Sequence, residues 1–308
     1  MGETDLIGVV TVTYNSASVL KDFLRSLTAQ THRNFLLFVV DNSSSDETLR
    51  ILGDCKDERL RIIANSQNVG VAAGNNQGIR AALEAGCSSV LLINNDTEFG
   101  TGLVSELDEA LDEYQAEMTC PKILYFDDSS RIWAAGGRFL PWLGYRSAHY
   151  GEGELDRGQF DTPRAVTYVP TCCVLIRASV FERVGLMDER YFVYVDDVDF
   201  MYRAMKMKQK LVYVPQSKLL HKVGRLTGGS ESPFTARYGT RNRVYFMLQH
   251  LGALSSIPML AMYQLYYAAG LLVRKFSPDT YVIKQKAVYE GIRMWSDSRR
   301  AKTGLCRR

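Results

Sequence analysis

The stretch IGVVTVTYNSASVLKDFLRSLTAQTHRNFLLFVVDNSSSD, residues 7–46, decides the fold. Ile7 to Thr13 is apolar and β-rich, the pattern of a strand. Leu20, Phe23, Leu24 and Leu27 then recur at helical spacing. Phe35 to Val40 is a continuous apolar run of strand length. Strands without polar alternation are covered on both faces, so strand, helix and strand here make a βαβ unit of a parallel sheet.

The same rhythm runs outward to about residue 125. Asp46 to Leu52 reads as helix, Leu60 to Ala64 as strand, Ile79 to Ala85 as helix and Val90 to Ile93 as strand. Leu103, Leu107 and Leu111 mark one more helix. From about 120 to 235 short strands and Gly-containing turns take over. Residues 146–165 are polar and read as a mobile loop, Val166 to Ile176 as one long strand, Ser179 to Val184 as a short helix, and Val198 to Met207 as a helix.

The 308 residues are 46% hydrophobic and 23% charged, which excludes a disordered or collagen-like chain. A net charge of +3 is too balanced for a general nucleic-acid binder. The charge is uneven, however. Residues 241–308 hold 12 Lys+Arg against 3 Asp+Glu, and no charged residue stands between Arg243 and Arg274. Ile257 to Val273 is apolar apart from Gln264, with Pro258 near its start, and falls short of the ~20 residues a spanning helix needs. The expectation is a set of helices lying in a membrane interface, with the basic tail on anionic lipid. No Cys-x-x-Cys pair occurs, so a zinc or redox site is not expected. The acidic N-terminus lacks a basic segment leading into an apolar one, so the expected location is cytoplasmic, peripheral on the cytoplasmic face of the membrane.

Ligands of an open parallel sheet bind where its strands end. Strand one ends at Thr13-Tyr14-Asn15, strand two at Asp41-Asn42-Ser43-Ser44-Ser45-Asp46, and strand four at Asn94-Asn95-Asp96. Asp41 suits hydrogen bonding to a nucleobase, and Asp46 equally suits a helix N-cap. The Gly- and Asn-rich segment Asn68 to Gly78 would let a backbone approach a ligand closely, ahead of a helix N-terminus. Asp96 is a candidate ligand for Mg²⁺ or Mn²⁺. The run Asp196-Asp197-Val198-Asp199 puts three carboxylates within four positions. It reads either as a charged helix start or as a general base toward an incoming hydroxyl. His221, one of four histidines, carries little signal by itself.

Taken in order, these motifs resemble glycosyltransferase family 2, inverting enzymes of the GT-A fold, and within it the rhamnosyltransferase-type members. The resemblance runs from about Ile7 to Gly228 and includes Asn68-Val69-Gly70, Gly74-Asn75-Asn76-Gln77-Gly78 and His221-Lys222-Val223-Gly224. It implies a GT-A catalytic domain over 1–235, with a nucleotide half to about 125 and an acceptor half to 235. A C-terminal helical, membrane-associated region over 236–308 would follow. It implies that Thr13, Tyr14, Asn15, Asp41, Asn68, Gly70, Asn75 and Asn95 line the nucleotide site. Asp96 and His221 would hold Mn²⁺ or Mg²⁺, and Asp197, with Asp196 beside it, would be the catalytic base. The partners implied are a nucleoside-diphosphate sugar (dTDP-rhamnose or a UDP-sugar) and a glycan or lipid-linked glycan. Two departures stand out. The metal motif is Asn-Asn-Asp with a single carboxylate, and the family's Glu-Asp pair is here Asp196-Asp197. The segment 225–229 and the polar loop 146–165 are expected to close over the donor.

Two other readings compete. A degenerate, non-catalytic relative would keep the fold as a binding or scaffold protein, against which stands the joint presence of Asp96, Asp197 and His221. A nucleotidyltransferase would carry a glycine-rich basic loop after strand one, whereas no Gly or basic residue occurs there before Lys21.

Overall fold

The computed structural model describes residues 5–223 and 232–304, with side chains through residue 301. Residues 5–139, 147–192 and 196–223 form one compact unit; 140–146, 193–195 and 232–304 form a second.

In the first unit β1 (Ile7–Thr13), β2 (Phe35–Asp41), β3 (Leu60–Ala64) and β4 (Ser89–Ile93) lie parallel in the order β3-β2-β1-β4. Four helices accompany them: α1 (Ala17–Thr28), α2 (Thr48–Asp54), α3 (Val71–Glu84) and α4 (Leu103–Glu113). β1 is buried on both faces because its alternate residues meet different helices. Ile7 and Val9 join Leu20, Phe23, Leu24 and Leu27 of α1 in the main apolar cluster. Val10 and Val12 lie on the other face, under Gly78 and Gly74 of α3. A Cβ on Gly74 would stand 2.9 Å from Val12, so α3 sits closer to β1 than any side chain there permits.

That packing overturns one expectation. The Asn68–Gly78 segment is not a loop ahead of a helix starting at Ile79; from Val71 onward it is α3 itself. Its glycines serve helix–sheet contact rather than access to a ligand.

β5 (Thr97–Phe99), β6 (Met118–Tyr125), β7 (Ile132–Ala134), β10 (Arg164–Val166), β11 (Cys173–Arg177) and β12 (Leu211–His221) complete the sheet. Its order continues β4-β11-β6-β12-β10; β12 runs parallel to β6, while β11 is antiparallel to both neighbours. β8 (Gly137–Leu140) and β9 (Arg146–His149) make a separate two-stranded sheet. The long strand expected over Val166–Ile176 is two strands, since Pro170 has no N–H to donate to a ladder and a turn follows at Thr171-Cys172. Nor is 146–165 a free loop. It begins as β9, and the fully buried Lys122 ammonium grips Asp156 at 3.0 Å and Asp161 as well. A segment tied to a buried cation is anchored, and no closure over a donor follows from it.

After α5 (Ala178–Val184), α6 (Asp196–Lys206) starts two residues earlier than its apolar spacing predicts, so all three carboxylates sit in its first turn. β1, β2 and β4 end on one edge of the sheet, which brings the loops after Thr13, Asp41 and Ile93 together.

The second unit is dominated by α7 (Pro233–Leu251), α8 (Ala253–Leu272) and α9 (Pro278–Gly304). Ser232 caps α7, accepting from the Thr235 amide at 3.1 Å. α7 packs along α9, where Gly291 fits against Arg241 and Val244. Pro258 lies inside α8. Among the described residues no helix is long and apolar enough to cross a membrane. The segment 225–229 lies outside the described residues.

Candidate active site

The loops that follow β1 and β2 lock each other. Thr13 Oγ1 donates to Asp41 Oδ1 at 2.8 Å, and Ser44 donates to the same carboxylate from its hydroxyl at 2.6 Å and its amide at 2.9 Å. Asp41 is wholly buried. The residue read as meeting the base therefore spends its carboxylate on organising this loop. Asn15, at φ 50°, accepts from the Ser45 amide at 2.8 Å, and its own amide donates to Ser44 Oγ at 2.9 Å. Asp46 accepts from the amides of Ala17 and Thr48, the first residues of α1 and α2, at 3.0 Å each. Asp46 is the N-cap of neither helix, those being Ser16 and Glu47, yet it satisfies the first amide of both. Tyr14 is the open ring of this cluster, at 49% exposure, beside exposed Ser43, Ser45 and Asp46.

The Asn68 carboxamide accepts from the Gly70 amide at 2.9 Å. Gly70, at φ 88°, would place a Cβ 2.5 Å from both the Phe192 ring and its carbonyl, so conformation and contact together demand glycine. Its close approach is to Phe192, not to an open pocket. Asn75 is buried, 3.7 Å from the Met187 sulfur, and Asn76 bonds the Met187 backbone and Glu189. Asn68, Gly70 and Asn75 thus hold α3 against the segment leading to the acidic cluster.

At the end of β4, Asn95 donates to the Val12 carbonyl at 2.6 Å, which ties this loop to β1. Its Oδ1 has no donor, nor has Asp96 Oδ1, and both atoms are buried. His221, at the end of β12, brings Nε2 to 3.4 Å from that Asp96 oxygen, beyond ordinary hydrogen-bond reach. Leaving buried acceptors unmade is costly, and a cation between imidazole and carboxylate would relieve the cost. These residues therefore fit a divalent ion that takes nitrogen and oxygen ligands. The protein supplies few of them: the described residues hold no group of three or more His, Cys, Asp or Glu able to hold an ion.

From His221 a wall of rings leads to the acidic cluster. The Trp133 ring meets His221 edge-on at 4.5 Å and His149 at 4.8 Å between centroids. His149 stacks on Tyr168 at 5.8 Å with 13° between planes. The Tyr168 hydroxyl donates to Asp197 Oδ2 at 2.7 Å. Since His149 Nδ1 faces the Trp133 carbonyl at 3.2 Å, that nitrogen carries the proton. Burial holds the ring below the usual histidine range, so it is neutral near pH 7.

The three carboxylates of α6 separate by partner. Asp199 accepts from Arg203 at 2.8 Å and from Tyr191 at 3.1 Å, and Arg203 also reaches the carbonyls of Val184 and Leu186. It is a structural anchor. Asp197 accepts from Tyr168 and from the Val198 amide at 2.8 Å. Burial pushes Asp196 up, and the charge of Asp197 pushes it further. Burial also raises Asp197, with the Tyr168 hydrogen bond opposing it. Directly before them Phe192, Tyr194 and Val195 all take left-handed φ of 67°, 63° and 66°. For β-branched Val195 that is a strained conformation of the sort concentrated at functional sites.

Asp96, His221 and Asp197 thus share one continuous wall, far apart in sequence as they are. His149 and Tyr168 are the residues that sequence reasoning missed. His149 sits in the stretch read as loop, and Tyr168 inside the strand that proved to be broken.

Comparison with known proteins bears on the family and the fold. The sequence model of the family Glycosyl transferase family 2 matches residues 8–185. The N-acetylglucosaminyl-diphospho-decaprenol L-rhamnosyltransferase of Mycobacterium tuberculosis is 27% identical over 271 residues, covering 81% of this chain and 86% of that protein. The dTDP-rhamnosyl transferase RfbF of Shigella flexneri is 26% identical over 219 residues, 71% of this chain and 69% of its own. Among solved structures, GalNAc-T7 with UDP, GalNAc and Mn²⁺ superposes with a TM-score of 0.62 at 17% identity, over 80% of this chain and half of that longer one. The fold is accordingly GT-A, with its mostly parallel central sheet. The matched model spans more than half of the chain, and the protein belongs to glycosyl transferase family 2 as a rhamnosyltransferase-like glycosyltransferase.

Proposed function

We propose that this protein transfers a sugar, with inversion, from a nucleoside-diphosphate donor to a hydroxyl of a lipid-linked glycan at the cytoplasmic face of a membrane. The observation that carries the reading is the wall joining the paired carboxylates to Asp96 and His221, with Asp197 held by Tyr168. The names of the rhamnosyltransferase relatives favour dTDP-rhamnose as donor over UDP-sugars. The Mycobacterium tuberculosis relative's name favours a diphospho-polyprenol acceptor.

Inversion needs one displacement. The acceptor oxygen attacks the anomeric carbon from the face opposite the diphosphate, the carbon–oxygen bond to the diphosphate breaks, and the acceptor proton passes to a carboxylate. Asp197 is that base. Its Oδ2 is fixed by Tyr168 and its Oδ1 by the Val198 amide, so the carboxylate meets the acceptor in one orientation. Asp196, buried beside it, holds its proton to higher pH than an ordinary aspartate. General-base assistance of this kind is worth ~10²–10⁴-fold.

Asp96 and His221 would hold Mn²⁺ or Mg²⁺, which would offset charge on the departing diphosphate. Neutral His149 and Trp133 form an uncharged wall between the two ends of the site. Tyr14, the exposed ring at the end of β1, stacks on the nucleobase. Thr13, Asn15 and Asp41 keep the loop that carries it in place.

The test is thermal stabilisation by dTDP, UDP, GDP and CDP, each with Mn²⁺, Mg²⁺ or EDTA, followed by transfer from the matching sugar nucleotide. A ligand at about 100 times its Kd adds ~2.7 kcal/mol. A metal-dependent shift with dTDP, and turnover of dTDP-rhamnose, are the expected results. Stabilisation by none of the nucleotides would favour the non-catalytic reading instead.

A further inference from the structure

α8 is apolar on the face it shows to solvent. Leu254, Leu265 and Leu272 are 86%, 72% and 83% exposed, and Ile257 and Met262 are exposed as well. Leu254, Ile257, Ala261, Leu265, Ala269 and Leu272 follow one another at steps of three or four, so they form a single stripe along the helix. Of its twenty residues only Ser256, Tyr267 and Gly270 are buried. A helix apolar all round belongs in a core or in lipid, and a stripe this long is unusual on a soluble surface. It carries no charge along its length, and exposed Arg274 and Lys275 follow it directly.

We infer that the exposed face of α8 is the surface by which this protein lies on an anionic lipid bilayer, its axis in the membrane plane and Arg274 and Lys275 on the headgroups. The inference rests on the lipid-linked acceptor proposed above and adds the surface that would bring the enzyme to it. Charge decides between lipid and a second copy of the chain. No acidic residue occurs from 243 to 278, and residues 241–308 carry nine more basic than acidic side chains. Two copies meeting here would bring like charges together, whereas anionic headgroups complement them. Exposed leucines enter the acyl boundary of such a surface, and each cation near it adds to the attraction.

The experiment is co-sedimentation of the full chain with phosphatidylcholine vesicles, with and without phosphatidylglycerol. The wild type is expected to sediment with the anionic vesicles, less so as salt rises. Leu265→Glu/Leu272→Glu should weaken the partition by about a hundredfold or more. Arg274→Gln/Lys275→Gln should weaken it about tenfold or more at low salt. Both variants alter exposed side chains, so each should keep the wild-type melting temperature and nucleotide-dependent stabilisation. Those two readouts separate failure of this inference from failure of the proposed transferase reaction. A wild type that stays in the supernatant, or a Leu265→Glu/Leu272→Glu chain that still sediments, overturns the inference. So does light scattering that finds a wild-type dimer which this variant turns into a monomer.

Discussion

Tyr168→Phe removes one oxygen and leaves the packing in place. The ring keeps its stack on His149 at 5.8 Å and its contact with Phe139 at 5.5 Å. What is lost is the 2.7 Å hydrogen bond to Asp197 Oδ2. A hydrogen bond to a charged group contributes ~1.5–3 kcal/mol. Because this one stabilises the carboxylate and not the acid, its loss raises the Asp197 pKa, at 1.36 kcal/mol per unit, by about 1–2 units. Asp196 and His149 also face Asp197, and neither is altered by the substitution. The base works only when ionised, so the acid limb of kcat/KM against pH should move up by ~1–2 units. On the high-pH plateau the rate should fall up to about tenfold, from looser orientation, with the KM for the donor unchanged. The assay is initial-rate transfer from about pH 5 to 9 at subsaturating acceptor. An acid limb that stays in place would refute the reasoning, because a merely structural tyrosine would lower the rate equally at every pH.

Three further outcomes are expected. Asp196→Asn should stabilise the protein at alkaline pH. A carboxyl whose folded pKa is raised loses stability as pH rises above its unfolded value of about 3.9, and the amide removes that loss; melting curves of the two proteins should converge near pH 4 and separate by pH 8. Asp96→Ala should abolish the Mn²⁺-dependent part of nucleotide stabilisation, which differential scanning fluorimetry with and without EDTA reads. Lys122→Met strips Asp156 and Asp161 of the buried ammonium and should cost about 3 kcal/mol in urea unfolding, and limited proteolysis should then cut first between residues 156 and 161.

The βαβ half of the fold was legible because burial on both faces writes itself as unbroken apolar runs. Ile7–Thr13 and Leu60–Ala64 come out at the residues the sequence suggests, and Phe35–Asp41 within one. The Gly74 and Gly78 positions were misread for a physical reason: glycine marks close approach, but the sequence does not say to what. Here it is Val12 and Val10 of the neighbouring strand. The 146–165 stretch looked mobile because its polarity is visible and its anchor is not. Lys122 lies 34 residues away from Asp156, inside a strand. The site divides in the same way. Asp96 and Asp197 stood out by residue type at a strand end and a helix start, while His221 came only with the family resemblance. Tyr168 and His149 did not, since rings in apolar company are ordinary core and only the fold stacks them between those three groups. The three carboxylates of α6 also could not be sorted by spacing. Asp199 is set apart by Arg203 and Tyr191, partners that only the packing reveals.

The most direct test of the account is Asp197→Asn, a nearly isosteric change that cannot accept the acceptor's proton. With donor affinity measured separately by titration of the nucleoside diphosphate, the account predicts unchanged binding and a kcat lower by ~10²–10⁴-fold. Turnover close to wild type with binding intact would contradict it.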